Sequence, residues 1–283
     1  MAIVLLSIFP IFDWKGIGIL RVNQTSSWSL FQLQGRVIGA LMLRELHTRF
    51  GRENLGYLWI VGEPILFCMG VAIAWTAMRP PHEHGLPMTA IVLTGYIPLT
   101  MWRHCLLSAV RAFEANGSLL FHRQVTPLDI ITARVVLEVM GTLMAGLIVA
   151  TGAFLLGYMS VPQDYGLLYL GVFFHMAFCF ATALLVAALS ERSELIEKTV
   201  NIFSYLSLPF SGAFAMVSWL SPKFQKILLW SPSVQSIEMI RGGQFGSTAH
   251  AKFSVIYAIC INFILILIGL SLTLRVRKFI KVQ

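Results

Sequence analysis

Charge is scarce in this chain: 12% of its 283 residues are Asp, Glu, Lys or Arg, against 57% apolar residues and a mean hydropathy of +0.76. A soluble domain of ordinary composition carries about a quarter charged residues. The chain therefore has too much hydrocarbon for water and reads as an integral membrane protein. Cysteine is scarce too. Cys68, Cys105, Cys179 and Cys260 all sit in apolar stretches without metal-ligand or redox spacing, so no disulfide framework is implied. No Gly-x-x-x-x-Gly-Lys-Ser/Thr occurs, so nothing here cradles nucleotide phosphates. Glu63 and Glu138 are the acidic residues within the apolar stretches, both toward inner ends, which gives little basis for a proton relay. The inverted repeats of many secondary transporters are missing.

What is present is a series of long apolar runs. A bilayer core of about 30 Å needs about 20 such residues per helix, and the chain offers six candidates, at 55–78, 89–110, 133–157, 166–189, 198–219 and 254–274. The runs lack the alternation of barrel strands, so each must satisfy its backbone as a helix. Basic residues give the orientation. Arg36, Arg44, Arg49, Arg52, Arg111, Arg123, Arg134, Arg192, Lys198, Arg275, Arg277 and Lys278 belong to connectors of one side, while the first two short loops of the other side carry Arg79 and none. Both termini are expected in the cytoplasm. The net charge of +8 reads as membrane-surface charge rather than a nucleic-acid footprint. Residues 1–54 form a cytoplasmic N-terminal region, 55–275 the transmembrane domain and 276–283 a cytoplasmic tail; residues 1–12 read as an interfacial anchor.

Several segments interrupt the apolar pattern. From Arg36 to Arg52 a helical wheel gathers Met42, Leu43, Leu46 and Phe50 on one arc and Arg44, Glu45, His47, Thr48 and Arg52 on the other, which predicts a helix in the interface, either a gate or ATPase-docking element or a plain anchor. Pro64 either starts the true first span near Glu63 or kinks it; the first fits better, because it leaves Tyr57 and Trp59 at headgroup level. Arg103 breaks the second span and either snorkels or meets an anionic group in a polar cavity. The inside loop Arg111–Asp129 has room for a short helix at Asn116, Ser118, Leu119, Leu120 and Phe121, near Arg123, a natural docking knob for a soluble partner. In the fifth span Asn201, Ser204 and Ser211 form a polar stripe with Tyr205 nearby and Pro209 mid-helix; the stripe serves either helix packing or a water-lined path. Ser221-Pro222 and Ser231-Pro232 open two short helices, the second ending at Gly242-Gly243, expected as a re-entrant hairpin or lying on the outer leaflet. Glu238 and Arg241, three apart, are expected to make a modest surface ion pair. Trp75, Tyr96, Trp102, Tyr205 and Phe210 are candidates for stacking on sugar faces, or they face lipid and pack. Pro81-His82-Glu83-His84 is the outside cluster that a membrane enzyme acting on lipid-linked sugars would need, although a solvated loop is the plainer reading.

Leu55-Gly56-Tyr57-Leu58-Trp59 with Pro64, Leu93-Thr94-Gly95-Tyr96 through Trp102, Asn116-Gly117-Ser118-Leu119-Leu120 followed by Pro127, and Pro232 with Glu238 and Arg241 together resemble the ABC-2 type permeases of polysaccharide export, from about residue 30 onward. Ser231 stands where these permeases usually carry Asn, and Val125-Thr126-Pro127 replaces the usual Phe-Pro. The short outer loops look most like the inner-membrane subunit of Gram-negative capsule export; an O-antigen or other lipid-linked glycan exporter is the alternative. The resemblance implies an all-α membrane fold of the ABC-2, type V exporter-like kind, with six transmembrane helices, an interfacial N-terminal helix and a short-helix hairpin between the last two spans. It also implies a homodimer with a path between protomers, two ABC ATPase subunits that carry ATP and Mg, and no cofactor or catalytic residue in this chain. A periplasmic co-polymerase-type export partner, an outer-membrane channel and a lipid-linked acidic polysaccharide complete the implied partners. Arg44, Arg49, Arg52, Trp59 and Arg103 are then candidates for the path.

Overall fold

The computed structural model describes residues 27–50, 56–78, 82–120 and 125–276. Its elements in chain order are α1 (Ser27–Phe50), α2 (Gly56–Met78), β1 (His82–Glu83), β2 (Leu86–Pro87), α3 (Met88–Ala109), α4 (Gly117–Leu120), α5 (Pro127–Leu155), α6 (Tyr165–Ser190), α7 (Glu194–Leu206), α8 (Pro222–Leu228), α9 (Pro232–Phe245) and α10 (Val255–Arg275), with short 3-10 turns between some of them. Met1–Arg36 and Val37–Gln283 are two units. The first contributes the opening turns of α1, where Arg36 Nε donates to the Gln32 carbonyl; the second holds the helical packing. Among the described residues four helices are long and apolar enough to cross a membrane: α2 from Leu58, α5, α6 and α10.

Helix starts follow local chemistry. Thr126 and Asp129 cap α5 reciprocally, the Asp129 amide donating to Thr126 Oγ1 and the Thr126 amide to Asp129 Oδ2, with Pro127 in the first turn where its missing amide costs nothing. The Asp164 carboxylate accepts the Leu167 amide at the start of α6, and Ser254 Oγ accepts the Tyr257 amide at the start of α10. His84 and Gly85, both with positive φ, close the tight β1–β2 hairpin in which His82 faces Pro87.

Helix α3 lies at the centre, with Met88, Ile91, Leu93, Leu99, Met101, Cys105 and Leu106 all buried. Trp102 is buried too, its ring stacked 6.2 Å from Phe178 of α6. A helix this enclosed by protein can carry Arg103 and His104, which explains why it falls outside the four apolar enough to cross.

Four expectations need correction. Pro64 does not start the first span, because α2 runs unbroken from Gly56 to Met78 with Pro64 inside it. The Ile60 carbonyl, which loses that proline's amide, faces Gly141 of α5, where a Cβ would stand 3.1 Å away, so the disturbed turn has room. The fifth span is not one helix. α7 ends at Leu206, a 3-10 turn takes Leu208–Phe210, and the chain then bends through Gly212 at φ +75 to a second 3-10 turn at Val217–Trp219. Thirteen residues rise only about 20 Å.

Helix α9 does not stop at Gly242-Gly243 but continues to Phe245, and it is buried from Ser233 onward. Its glycines serve packing: a Cβ on Gly243 would lie 2.5 Å from the Leu168 amide nitrogen of α6. Finally, the arcs expected of α1 are partly reversed, with Glu45 buried and Leu43 exposed.

Candidate functional site

Helices α2, α3, α5 and α7 line an open-sided cavity of about 630 Å³ with polar and apolar groups in near-equal measure. α2 supplies Glu63 and Phe67, α3 supplies Tyr96, Thr100, Arg103, His104 and Ser108, α5 supplies Arg134 and Glu138, and α7 supplies Tyr205. His104 stands between two carboxylates, its Nε2 3.9 Å from Glu63 Oε1 and its Nδ1 3.6 Å from Glu138 Oε2. These spacings are longer than a charge-assisted hydrogen bond. Arg103 lays its guanidinium over the Tyr205 ring at 4.5 Å, while its buried Nε has no hydrogen-bond partner. The site thus brings donors, acceptors and aromatic faces together around one space.

Below the cavity the polar groups are tied more tightly. Arg134 Nε lies 2.9 Å from Glu45 Oε1 of α1, and its Nη1 donates to the Ser108 carbonyl at 2.6 Å. Arg44 donates to Asn116 Oδ1, and the buried Asn116 donates in turn to the Ala112 carbonyl. The same end is closed by Glu191, whose Oε1 accepts the amides of Phe113 and Glu114. Burial pushes the Glu191 carboxyl above its ordinary value, against the pull of those two amides. Arg111, at φ +47, pairs with Glu114 and reaches Glu197 of α7 at 3.5 Å.

At the opposite end of α3, Glu238 and Arg241 are completely buried rather than a surface pair. Arg241 donates to the carbonyls of Gly212, Ala213 and Ala215 at 2.7, 2.6 and 2.9 Å, and Glu238 accepts the amides of Val217 and Lys252. These bonds hold the 211–217 bend out of helical form. Gly95 admits it, since a Cβ there would meet the Ala213 carbonyl oxygen.

A family model for ABC-2 type transporters matches residues 36–245. The chain belongs to the ABC-2 type transporter family. The matched stretch contains every residue that lines the cavity. The chain is 36% identical over 261 residues to the capsule polysaccharide export inner-membrane protein BexB of Haemophilus influenzae, covering 92% of this chain and 98% of that protein. It is 33% identical over 262 residues to the protein of the same description, CtrC, of Neisseria meningitidis serogroup B, covering 93% and 99%. It is 25% identical over 246 residues to the polysialic acid transport protein KpsM of Escherichia coli, covering 86% and 94%.

The expected site residues of this ABC-2 chain fall in different places. Tyr96, Arg103 and Tyr205 meet in the cavity. Trp102 and Trp75 pack instead, Trp75 lying 5.3 Å from Phe214. Trp59 and Phe210 are exposed. Ser204 and Ser211 are buried and donate to the carbonyls of Asn201 and Leu208, with Asn201 itself exposed. Ser118 is exposed and Leu119 half-buried, while Leu120 packs on the core. Arg52, Phe121, Arg123 and the side chain of Arg49 lie outside the described residues. Glu63, His104 and Glu138 are the members sequence reasoning did not join. A signal existed, because Glu63 and Glu138 lie in the N-terminal halves of α2 and α5 and His104 near the C-terminus of α3, ends that an up-and-down arrangement of these helices brings together.

His84, from the His82-Glu83-His84 cluster, packs 4.9 Å from the Trp219 ring. Among the described residues no group of three or more His, Cys, Asp or Glu is placed to hold a metal ion.

Proposed function

We propose that this chain is the transmembrane subunit of an ATP-driven exporter that moves lipid-linked capsular polysaccharide from the cytoplasm across the bacterial inner membrane. The observation that carries the reading is the 36% identity, over nearly the whole of both chains, to a protein named for capsule polysaccharide export. The polar cavity supports it, because a polyhydroxylated acidic polymer needs donors and acceptors along its route, and Arg103 keeps a buried Nε without a partner.

In this reading two copies of the chain form the path, with Arg44, Tyr96, Arg103 and Tyr205 along its entry. Two ABC ATPases bind at the loop carrying Ser118, Leu119 and Leu120, and ATP and Mg reside on them. A periplasmic export partner and an outer-membrane channel receive the polymer. Six crossings are made by α2, α3, α5, α6, α7 with the bend that follows it, and α10. The α8–α9 pair is re-entrant, and both termini face the cytoplasm, as the basic residues of that side favour. The domain limits remain 1–54, 55–275 and 276–283.

Loss of the gene tests the function: capsular polymer is expected to accumulate inside the cell, and accumulation of a different surface glycan overturns the capsule assignment. The purified chain is expected to show no ATP hydrolysis until its ATPase is co-expressed; hydrolysis by the chain alone overturns the subunit assignment.

A further inference from the structure

Two consecutive residues of α1 reach into the protein in different directions. Arg44 bonds to Asn116, in the 3-10 turn Glu114–Asn116 immediately before α4. Glu45, only 7% exposed, pairs at 2.9 Å with Arg134 of α5, which is 8% exposed and also holds the Ser108 carbonyl of α3. Arg134 lines the cavity and lies one helical turn from Glu138, the partner of His104. A helix that merely rests in an interface keeps its charges in water. Burying a carboxylate and a guanidinium carries a desolvation cost that only a specific pairing offsets. Because Arg44 and Glu45 share one turn of a rigid helix, a displacement of Asn116 that carries Arg44 carries Glu45 as well. Either Arg134 follows or the buried pair breaks.

We propose that Glu45 is a positioning residue that transmits movement of the Asn116 loop, through α1, to Arg134 and the wall of the cavity. The inference rests on the proposed docking of an ATPase at that loop. Glu45 does not line the cavity, so its variants leave the path's own surface unchanged.

The test uses the full chain co-expressed with its ATPase. Glu45→Gln is expected to leave ATPase co-purification and hydrolysis unchanged while export falls about tenfold. Glu45→Asp, which keeps the carboxylate and leaves the cavity lining untouched, keeps the fold testable and should restore export toward the wild-type level. In the chain purified alone, amide exchange across 37–50 should rise in Glu45→Gln. Export at the wild-type level in Glu45→Gln with the ATPase bound overturns the proposal, as does hydrolysis that falls in step with export, or exchange that does not change. Leu119→Asp and Leu120→Asp separate the two readings. If they leave ATPase binding intact the docking assignment fails, while the exchange of α1 still decides whether Glu45 holds it.

Discussion

The two ends of α3 carry charged clusters of similar composition held in opposite ways. At one end Glu238 and Arg241 have no exposure, and backbone groups from the 211–217 bend and Lys252 bond the Glu238 carboxylate and both Arg241 Nη atoms at 2.6 to 3.2 Å, with Arg241 Nε left without a partner. At the other end His104 faces Glu63 and Glu138 at 3.9 and 3.6 Å beside a 630 Å³ cavity. Buried ionic groups bonded on several sides by backbone groups hold that backbone in one arrangement. Charged groups held at longer range beside open space are the ones that a ligand can reach. The first cluster is therefore a staple, and the second is the working surface in the proposed function. Variants that remove each should fail in different assays.

The largest effect is expected at the staple. Arg241→Ala strands the Glu238 carboxylate and releases the carbonyls of Gly212, Ala213 and Ala215, a loss of roughly 3–5 kcal/mol. It should abolish recoverable folded protein in mild detergent. Arg241→Lys should rescue little, because one ammonium cannot span carbonyls that a planar guanidinium reaches together. Gly243→Ala comes next. The added methyl meets the Leu168 backbone, and overpacking of this kind costs about 1–3 kcal/mol. Thermal unfolding followed by size-exclusion should register it, with export lost only as folded protein is lost.

At the cavity the order of effects reverses. His104→Ala should cost about 1 kcal/mol or less, the scale of partly exposed pairs, since His104 and Glu63 keep 21% and 40% side-chain exposure. Export should nonetheless fall, measured as polymer retained per unit of folded chain. A His104→Ala variant that exports normally, or one that unfolds like Arg241→Ala, erases the distinction between staple and working surface.

Legibility in the sequence divides along the same line. α6 and α10 were readable to within a residue or so, because uninterrupted apolar runs begin directly after Asp164 and Ser254, whose side chains cap them. The fifth span was misread because the apolar run through 208–219 is local, whereas the bonds that bend it come from Arg241, 28 and 29 residues later. The spacing of Glu238 and Arg241 was visible but their burial was not, since nothing local says that α9 is packed by Gly171 and Gly243 against α6. Of the cavity, Arg103, Tyr96 and Tyr205 were legible as polar or aromatic interruptions. The Glu63–His104–Glu138 grouping required three helices to be brought together, and Trp102 follows its packing alternative, which the sequence could not single out because an aromatic residue gives the same signal whether it faces a path or a neighbouring ring.

The smallest effect is expected at Glu191, which shares features of both clusters: it accepts two amides, as in the staple, yet remains partly exposed, as in the cavity. Its carboxyl is raised chiefly by burial. A raised carboxyl binds its proton more tightly in the folded chain than in the unfolded one. That stabilisation is fully present below the unfolded value and is lost as pH rises through the folded value. Acidification from neutral toward the ordinary carboxylate range should therefore strengthen this joint. Glu191→Gln keeps an oxygen for the Phe113 and Glu114 amides, so it should unfold at or slightly above the wild-type temperature at neutral pH and show a flatter pH dependence. Glu191→Ala loses the acceptor and should cost about 1 kcal/mol at any pH. Parallel melts of the three proteins at several pH values measure both, and a Glu191→Gln protein less stable than wild type at neutral pH would show that the carboxylate is favoured there in its charged form, as in the staple.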